Sequence, residues 1–118
     1  MLFSVYICFL LFAAMGATLL IWPEAIARVT NQEPTTPEAR NEIRAVYGGF
    51  GIAASLALFI ALVWSPLRGG ICLALGLALM GMAAGRGYSA YLERPTSNII
   101  WGLLAAEAVL GFLLTFQI

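Results

Sequence analysis

Among the charged residues of this chain, Arg44, Arg86 and Glu107 lie within otherwise apolar stretches. An ionised side chain inside a membrane-spanning helix is costly unless it is paired or has a function. Tyr47 follows Arg44 by about one helical turn and adds a hydroxyl group. Two arginines beside one deep glutamate leave an excess positive charge, which suits a carboxylate or a phosphate. These residue types predict a polar site for a small anionic or amphiphilic molecule, including a lipid headgroup.

Each charge also has a purely structural interpretation. Arg44 and Arg86 can extend their long side chains to the lipid headgroups. Glu107 lies too deep for that and must be protonated or paired, so an Arg–Glu pair that only holds helices together is the alternative. A further candidate, Glu42, would neutralise the second arginine at the rim. The candidate ligand-binding residues are therefore Arg44, Tyr47, Arg86, Glu107 and Glu42.

The elements that carry these residues are predicted to lie in lipid. Of the 118 residues, 62% are hydrophobic and 10% are charged, and the mean hydropathy is +0.93. A soluble domain carries about 25% charged residues, and a chain this short cannot bury so much apolar surface within itself. Apolar stretches of about 20 residues, the length that a bilayer requires, predict spans at about 2–22, 43–64, 67–88 and 99–117. The predicted fold class is an all-α membrane protein, a single-domain antiparallel bundle of four transmembrane helices.

The polar segments between the spans carry turn and cap signals. Trp22 and Pro23 end the first span and open a polar loop over residues 23–42, in which residues 24–29 are predicted to lie along the membrane interface. Thr36, followed by Pro37, predicts the start of a helix that begins in water. The candidate caps of the last span are Thr96, Ser97 and Asn98.

Small residues predict how the spans pack. Gly48 and Gly51 share a helix face with Arg44, which allows another helix to approach closely. Gly81 and Gly85 have the small-xxx-small spacing, for packing within the bundle or against a second copy of the chain. Residues 67–70, after Ser65 and Pro66, are predicted to form a tight turn between antiparallel neighbours.

Composition excludes several functional classes. Six arginines balance six glutamates, and lysine, aspartate and histidine do not occur. Nucleic acid is not a predicted partner, because its binding needs a basic surface. Without histidine, and with only Cys8 and Cys72, neither a transition-metal site nor another cofactor is expected. The two cysteines are interpreted as buried apolar residues, with a redox pair as the alternative.

The run Arg44-Ala45-Val46-Tyr47-Gly48-Gly49, the later Gly85-Arg86 and Glu107 in the fourth span together resemble domain-of-unknown-function family 4345. These are small bacterial four-helix membrane proteins, similar in general architecture to DoxX-like proteins. The likeness covers nearly the whole chain. It implies a multi-pass protein of the bacterial inner membrane and implies no activity. A redox role would rest on analogy of fold alone.

Three functional hypotheses follow. The first is binding or transport of a small anionic or amphiphilic molecule in the polar intramembrane site. The second is a structural or accessory subunit of a membrane complex, in which the charges form a packing salt bridge. The third is an enzyme, either redox or lipid-modifying, which is less favoured because no Ser-His-Asp or Cys-His set is present. Besides membrane lipids, a second copy of the chain is an expected partner.

The distribution of arginines predicts an orientation. We call the side of the membrane that holds the first and third loops the long-loop side. The long-loop side holds five arginines: Arg28, Arg40, Arg44, Arg86 and Arg94. The other side holds Arg68. The positive-inside rule therefore predicts that the long loops lie in the cytoplasm.

Overall fold

The computed structural model describes residues 2–94 and 98–117, and it is built from helices. Four helical stretches are long and apolar enough to cross a membrane, and they pack against one another. No strand occurs in the described residues, and the predicted all-α four-helix membrane fold is confirmed. The elements are α1 (Phe3–Ile21), a 3₁₀ helix (Pro23–Ile26), α2 (Ala27–Thr30), α3 (Pro37–Ile43), a π-helical segment (Arg44–Gly49), α4 (Phe50–Val63), α5 (Ser65–Leu92) and α6 (Asn98–Thr115).

The helices pack mainly in chain order. Helix α1 packs against the second span (Pro37–Val63), α4 packs against α5, and α5 packs against α6, whereas α1 and α6 touch each other only sparsely. The Cα atoms extend over 43 × 31 × 18 Å, so the bundle is flattened. A buried apolar core fills the interior and includes Val5, Cys8, Leu58, Cys72 and Leu114.

Glycines allow α1 to cross the second span at backbone contact distance. A Cβ atom placed on Gly16 would lie 2.6 Å from the backbone nitrogen of Ile52 and 2.9 Å from the carbonyl oxygen of Gly48. One placed on Gly51 would lie 2.8 Å from the Cα atom of Gly16. The close approach predicted from Gly48 and Gly51 is therefore confirmed, and its partner is α1.

A second glycine contact joins α5 and α6. A Cβ atom on Gly76 would lie 2.8 Å from the carbonyl oxygen of Gly111, and one on Gly111 would lie 2.8 Å from the carbonyl oxygen of Gly76. By contrast, a Cβ atom on Gly81 or Gly85 would meet no heavy atom within 4 Å. Packing of the Gly81–Gly85 pair within the bundle was thus a wrong alternative, because these glycines lie on the outer face of α5.

Helix α5 begins earlier and ends later than predicted. Pro66 lies in its first turn, where the missing N–H group costs nothing because that group has no helical partner. Residues 67–70 are therefore helical rather than a tight turn, and Trp64 alone, in an extended conformation, connects α4 to α5. At the other end the helix continues to Leu92, since neither glycine nor proline occurs in residues 88–92.

The segment before the second span follows its local signals. The hydroxyl oxygen of Thr36 accepts a hydrogen bond of 3.0 Å from the backbone N–H group of Ala39, so the predicted N-cap is confirmed. The interfacial segment forms the 3₁₀ helix and α2, and Asn31 ends α2 with a φ of 58°. Of the candidate caps for the last span, Thr96 and Ser97 lie outside the described residues, and α6 is described from Asn98.

Candidate ligand-binding site

A cavity of about 550 Å³ lies between α1 on one side and α5 and α6 on the other. Along α1 it extends from Leu19 to Cys8, which corresponds to about 16 Å at 1.5 Å per residue. The 3₁₀ helix and α2 cover its end on the long-loop side. Its size falls within the range of about 300–1,000 Å³ that is typical of small-molecule sites. The walls are predominantly apolar and include Leu11, Met15, Leu79, Met82, Leu103 and Leu110.

An ion pair between α5 and α6 lines this cavity. The Nε atom of Arg86 donates a hydrogen bond of 2.7 Å to Oε1 of Glu107, and Nη2 donates one of 3.0 Å to Oε2. The side chains are 23% and 11% exposed, respectively. Two parallel bonds between a guanidinium and a carboxylate are the strongest arrangement for such a pair. Glu107 is therefore paired rather than isolated in the apolar interior.

Helix geometry brings these two charges to similar depth. Arg86 lies six residues before the end of α5 and Glu107 nine residues after the described start of α6. At 1.5 Å per residue, these separations place their Cα atoms about 9 Å and about 14 Å from the long-loop ends of the helices. The length of the arginine side chain spans the remaining difference.

Tyr47 lines the same cavity from the second span, where it is half-buried. It lies in the π-helical segment, whose wider turns are rare and often occur at functional sites. The adjacent Gly48 contacts α1, and a Cβ atom on it would lie 2.9 Å from the Cα atom of Leu20. One turn of the second span therefore contacts α1 through its backbone and presents a phenol to the cavity.

Arg44, by contrast, does not meet the other two charges. Its Nε atom donates a hydrogen bond of 3.1 Å to the carbonyl oxygen of Leu20, in the last turn of α1, and its side chain is exposed. Carbonyls at a helix C-terminus lack helical partners, and a cation is favourable there. Arg68 likewise places its charge at the C-terminal end of α4, where its Nε atom donates a hydrogen bond of 2.7 Å to the carbonyl oxygen of Ala61. The expected convergence of three charges is thus reduced to Arg86 and Glu107.

Glu42 also lies away from the cavity. It is exposed on α3, and its carboxylate forms neither an ion pair nor a hydrogen bond within the part of the chain that the structure describes. The suggested neutralisation of a second arginine by Glu42 is therefore not observed. Of the five candidate residues, the structure brings together Tyr47, Arg86 and Glu107.

The first testable consequence concerns Arg44. We expect Arg44→Gln to lower the free energy of unfolding by about 1 kcal/mol, because the charge-assisted bond to Leu20 is lost, and to leave the occupancy of the cavity unchanged. Denaturation by sodium dodecyl sulfate in mixed micelles measures the first effect, and native mass spectrometry measures the second. The control is Glu42→Gln, which changes a nearby residue that is exposed and has no ion pair. If Arg44→Gln lost a molecule that the wild type retains, Arg44 would be shown to contribute to ligand binding.

Neither the cavity nor the contribution of Arg28 to its lining was apparent from the sequence. Arg28 lies on α2 and is exposed, and its guanidinium has no hydrogen bond or ion pair with any described residue. The interfacial character predicted for residues 24–29 was the available signal. It could not show that this segment covers the end of a cavity, since that depends on how the segment packs against α1, α5 and α6.

The two cysteines are part of the apolar interior. Cys8 and Cys72 are 1% and 0% exposed, both are free thiols, and they belong to the same core cluster. Their interpretation as buried apolar residues is confirmed. Among the described residues, no group of three or more histidine, cysteine, aspartate or glutamate side chains is placed to hold a metal ion.

Comparison with known families gives one match. The family model described as "Domain of unknown function (DUF4345)" matches residues 1–117. No curated protein and no solved structure matches the chain. Because the match covers nearly the whole chain, the cavity, the ion pair and all four candidate spans lie within the matched region.

Proposed function

This chain belongs to the DUF4345 family, and from that premise we propose that it binds or transports a small amphiphilic molecule within the membrane. The observation that carries the proposal is the cavity of about 550 Å³, whose mainly apolar lining includes the Arg86–Glu107 pair and Tyr47. Small-molecule sites are typically lined by apolar side chains with a few convergent polar groups. This combination favours a ligand with an apolar body and a polar group.

The ion pair retains the capacity to hold such a ligand. A guanidinium has five N–H donors, and the two bonds to Glu107 use one hydrogen each from Nε and Nη2 of Arg86. The remaining donors and the hydroxyl group of Tyr47 are available to a hydroxyl, carbonyl or ether oxygen of the ligand. The pair as a whole is neutral, so these deep contacts favour a polar group over a charged one.

The shape of the bundle favours entry from the lipid. Helices α1 and α6 line opposite sides of the cavity and touch each other only sparsely. We therefore propose that the ligand enters between them, from the acyl chains of the bilayer. We place the protein in the inner membrane of a bacterium, with its long loops in the cytoplasm. Arginines outnumber those of the opposite side there, and the family resemblance implies the same membrane.

A structural role is the second candidate function, and the completed ion pair favours it. The carboxylate of Glu107 is satisfied by Arg86 without a ligand. A buried polar pair can fix the register of two helices, which here would be α5 and α6. In this role the protein would assist or assemble with another membrane complex.

Variants without charge separate the two functions. Replacing a buried ion pair by apolar residues of similar size is often neutral or stabilising, so the double variant Arg86→Met, Glu107→Leu is expected to fold. Native mass spectrometry in mild detergent then compares the molecule retained by the wild type with that retained by the double variant. The proposed binding function predicts loss of that molecule. An empty wild type, together with destabilised single variants, would support the structural role instead.

Two adjacent alanines on α6 give a test that does not involve charge. Ala106 lines the cavity, whereas Ala105 does not, and both are exposed. We expect Ala106→Phe to fill the cavity and abolish retention of the bound molecule, and Ala105→Phe, the matched control, to retain it. Equal retention by both variants would show that the molecule binds elsewhere.

A further inference from the structure

We propose that Arg28 binds the anionic headgroup of the molecule in the cavity, so that the ligand is an amphiphile carrying a carboxylate or a phosphate. This rests on the proposed function, because it assigns the headgroup of a ligand whose apolar part occupies the cavity. It adds a charged recognition site at the end of the cavity, separate from the neutral ion pair inside it.

The position of Arg28 matches the expected position of a headgroup. Arg28 lines the cavity from α2, the short helix that covers the end of the cavity on the long-loop side. Trp22, an aromatic residue of the kind enriched at membrane interfaces, lies shortly before α2. The apolar walls extend from this end toward Cys8, over about 16 Å of α1. An amphiphile would therefore place its charged group at Arg28 and its apolar chain along α1.

The side chains of four other arginines already have a partner within the chain. Arg86 is paired with Glu107, and Arg28 has no such partner among the described residues, although Glu24 lies one turn before it. The other three donate hydrogen bonds to backbone carbonyl oxygens: Arg40 to Pro34, Arg44 to Leu20, and Arg68 to Ala61 and Leu62.

The lining of the cavity carries a surplus positive charge. Its charged residues are two arginines, Arg28 and Arg86, and one glutamate, Glu107, so the net charge of the lining is +1. Since Arg86 and Glu107 neutralise each other, the surplus resides on Arg28. A guanidinium matches a carboxylate or a phosphate through two parallel hydrogen bonds, and both chemistries occur on amphiphiles. The charge of the cavity thus complements an anionic headgroup.

Binding of matched probes tests this assignment. The protein is placed in nanodiscs of phosphatidylcholine, and its affinity is measured for dodecanoate, dodecyl phosphate and the uncharged 1-dodecanol, with empty nanodiscs as the blank. We expect the wild type to bind at least one of the anions about tenfold more tightly than 1-dodecanol, as one charge-assisted interaction would give. Comparison of the two anions identifies the carboxylate or the phosphate as the preferred headgroup.

Variants of Arg28 determine where the preference arises. We expect Arg28→Gln to bind the anion and 1-dodecanol equally and Arg28→Lys to retain part of the preference. The matched control is Arg94→Gln, an exposed arginine of the long-loop side that does not line the cavity. Thermal unfolding in detergent checks that each variant is folded.

The outcomes distinguish this inference from the proposed function. If the wild type binds all three probes equally, or if Arg28→Gln retains the anion preference, the role of Arg28 is overturned while amphiphile binding stands. If Arg94→Gln removes the preference as fully as Arg28→Gln, the effect is one of surface charge and the assignment is likewise overturned. If the wild type binds none of the probes above the blank, both the proposed function and this inference fail.

Discussion

Replacing Glu107 by glutamine is expected to lower the free energy of unfolding by about 3 kcal/mol. The substitution preserves the size of the side chain but leaves the guanidinium of Arg86 without its counter-charge in a mainly apolar site. Removing one partner of a buried pair is more damaging than removing both, because the remaining charge is still desolvated. Unfolding by sodium dodecyl sulfate in mixed micelles, followed by the fluorescence of the three tryptophans, measures the loss.

Two comparisons make the Glu107 result interpretable. Glu42→Gln removes the same charge from an exposed and unpaired position on α3, so its stability should remain within about 0.5 kcal/mol of the wild type. The double variant Arg86→Met, Glu107→Leu should recover most of the stability lost in Glu107→Gln. If Glu107→Gln were as stable as Glu42→Gln, the ion pair would contribute nothing to the fold, and a structural role for it would be excluded.

The Arg86–Glu107 pair shows what sequence can predict in a membrane bundle. Apolar length predicts the approximate position of each span, and a rise of 1.5 Å per residue then gives the approximate depth of each charge. Two opposite charges at similar depth on consecutive antiparallel helices have few other partners available. Their contact therefore follows from spacing and the cost of burying an unpaired charge.

The partner of Arg44 could not be predicted from depth alone. Its depth was estimated in the same way, but a long side chain at a helix entrance has several acceptors within reach. The carbonyl oxygen of Leu20 becomes its partner because α1 ends beside the start of the second span. That position depends on how closely Gly16 approaches Gly48 and Gly51, which is a property of packing rather than of depth.

The cavity could not be predicted from the sequence either, because it also depends on how the helices pack. Its lining residues come from α1, the interfacial segment, the π-helical segment, α5 and α6, and the residues on any one element read as an ordinary apolar face. The space becomes visible only when these elements are assembled, with α1 on one side and α5 and α6 on the other. Glycine spacing did not predict the contact between α5 and α6, since the exposed Gly81 and Gly85 match the packing motif while Gly76 and Gly111 make the contact.

The close crossing of α1 with the second span gives the other large prediction. Gly16→Ala is expected to lower the free energy of unfolding by about 2 kcal/mol, as overpacking in a tight interior does. The added methyl group would meet backbone atoms of Ile52, Gly48 and Gly51 at 2.6–2.9 Å. Backbone atoms cannot move aside as a side chain can, so α1 must shift. Chemical denaturation in detergent micelles measures the cost.

The matched control for Gly16→Ala is Gly81→Ala, on the outer face of α5. It meets no heavy atom within 4 Å, and alanine favours a helix over glycine, so this variant should be unchanged or more stable by about 0.5 kcal/mol. Similar stability of the two variants would show that the crossing is not tightly packed. Because α1 forms one wall of the cavity, displacing it in Gly16→Ala should also weaken retention of a bound molecule, whereas Gly81→Ala should retain it. The glycine contact between α1 and the second span thus connects the stability of the bundle to the shape of its candidate site.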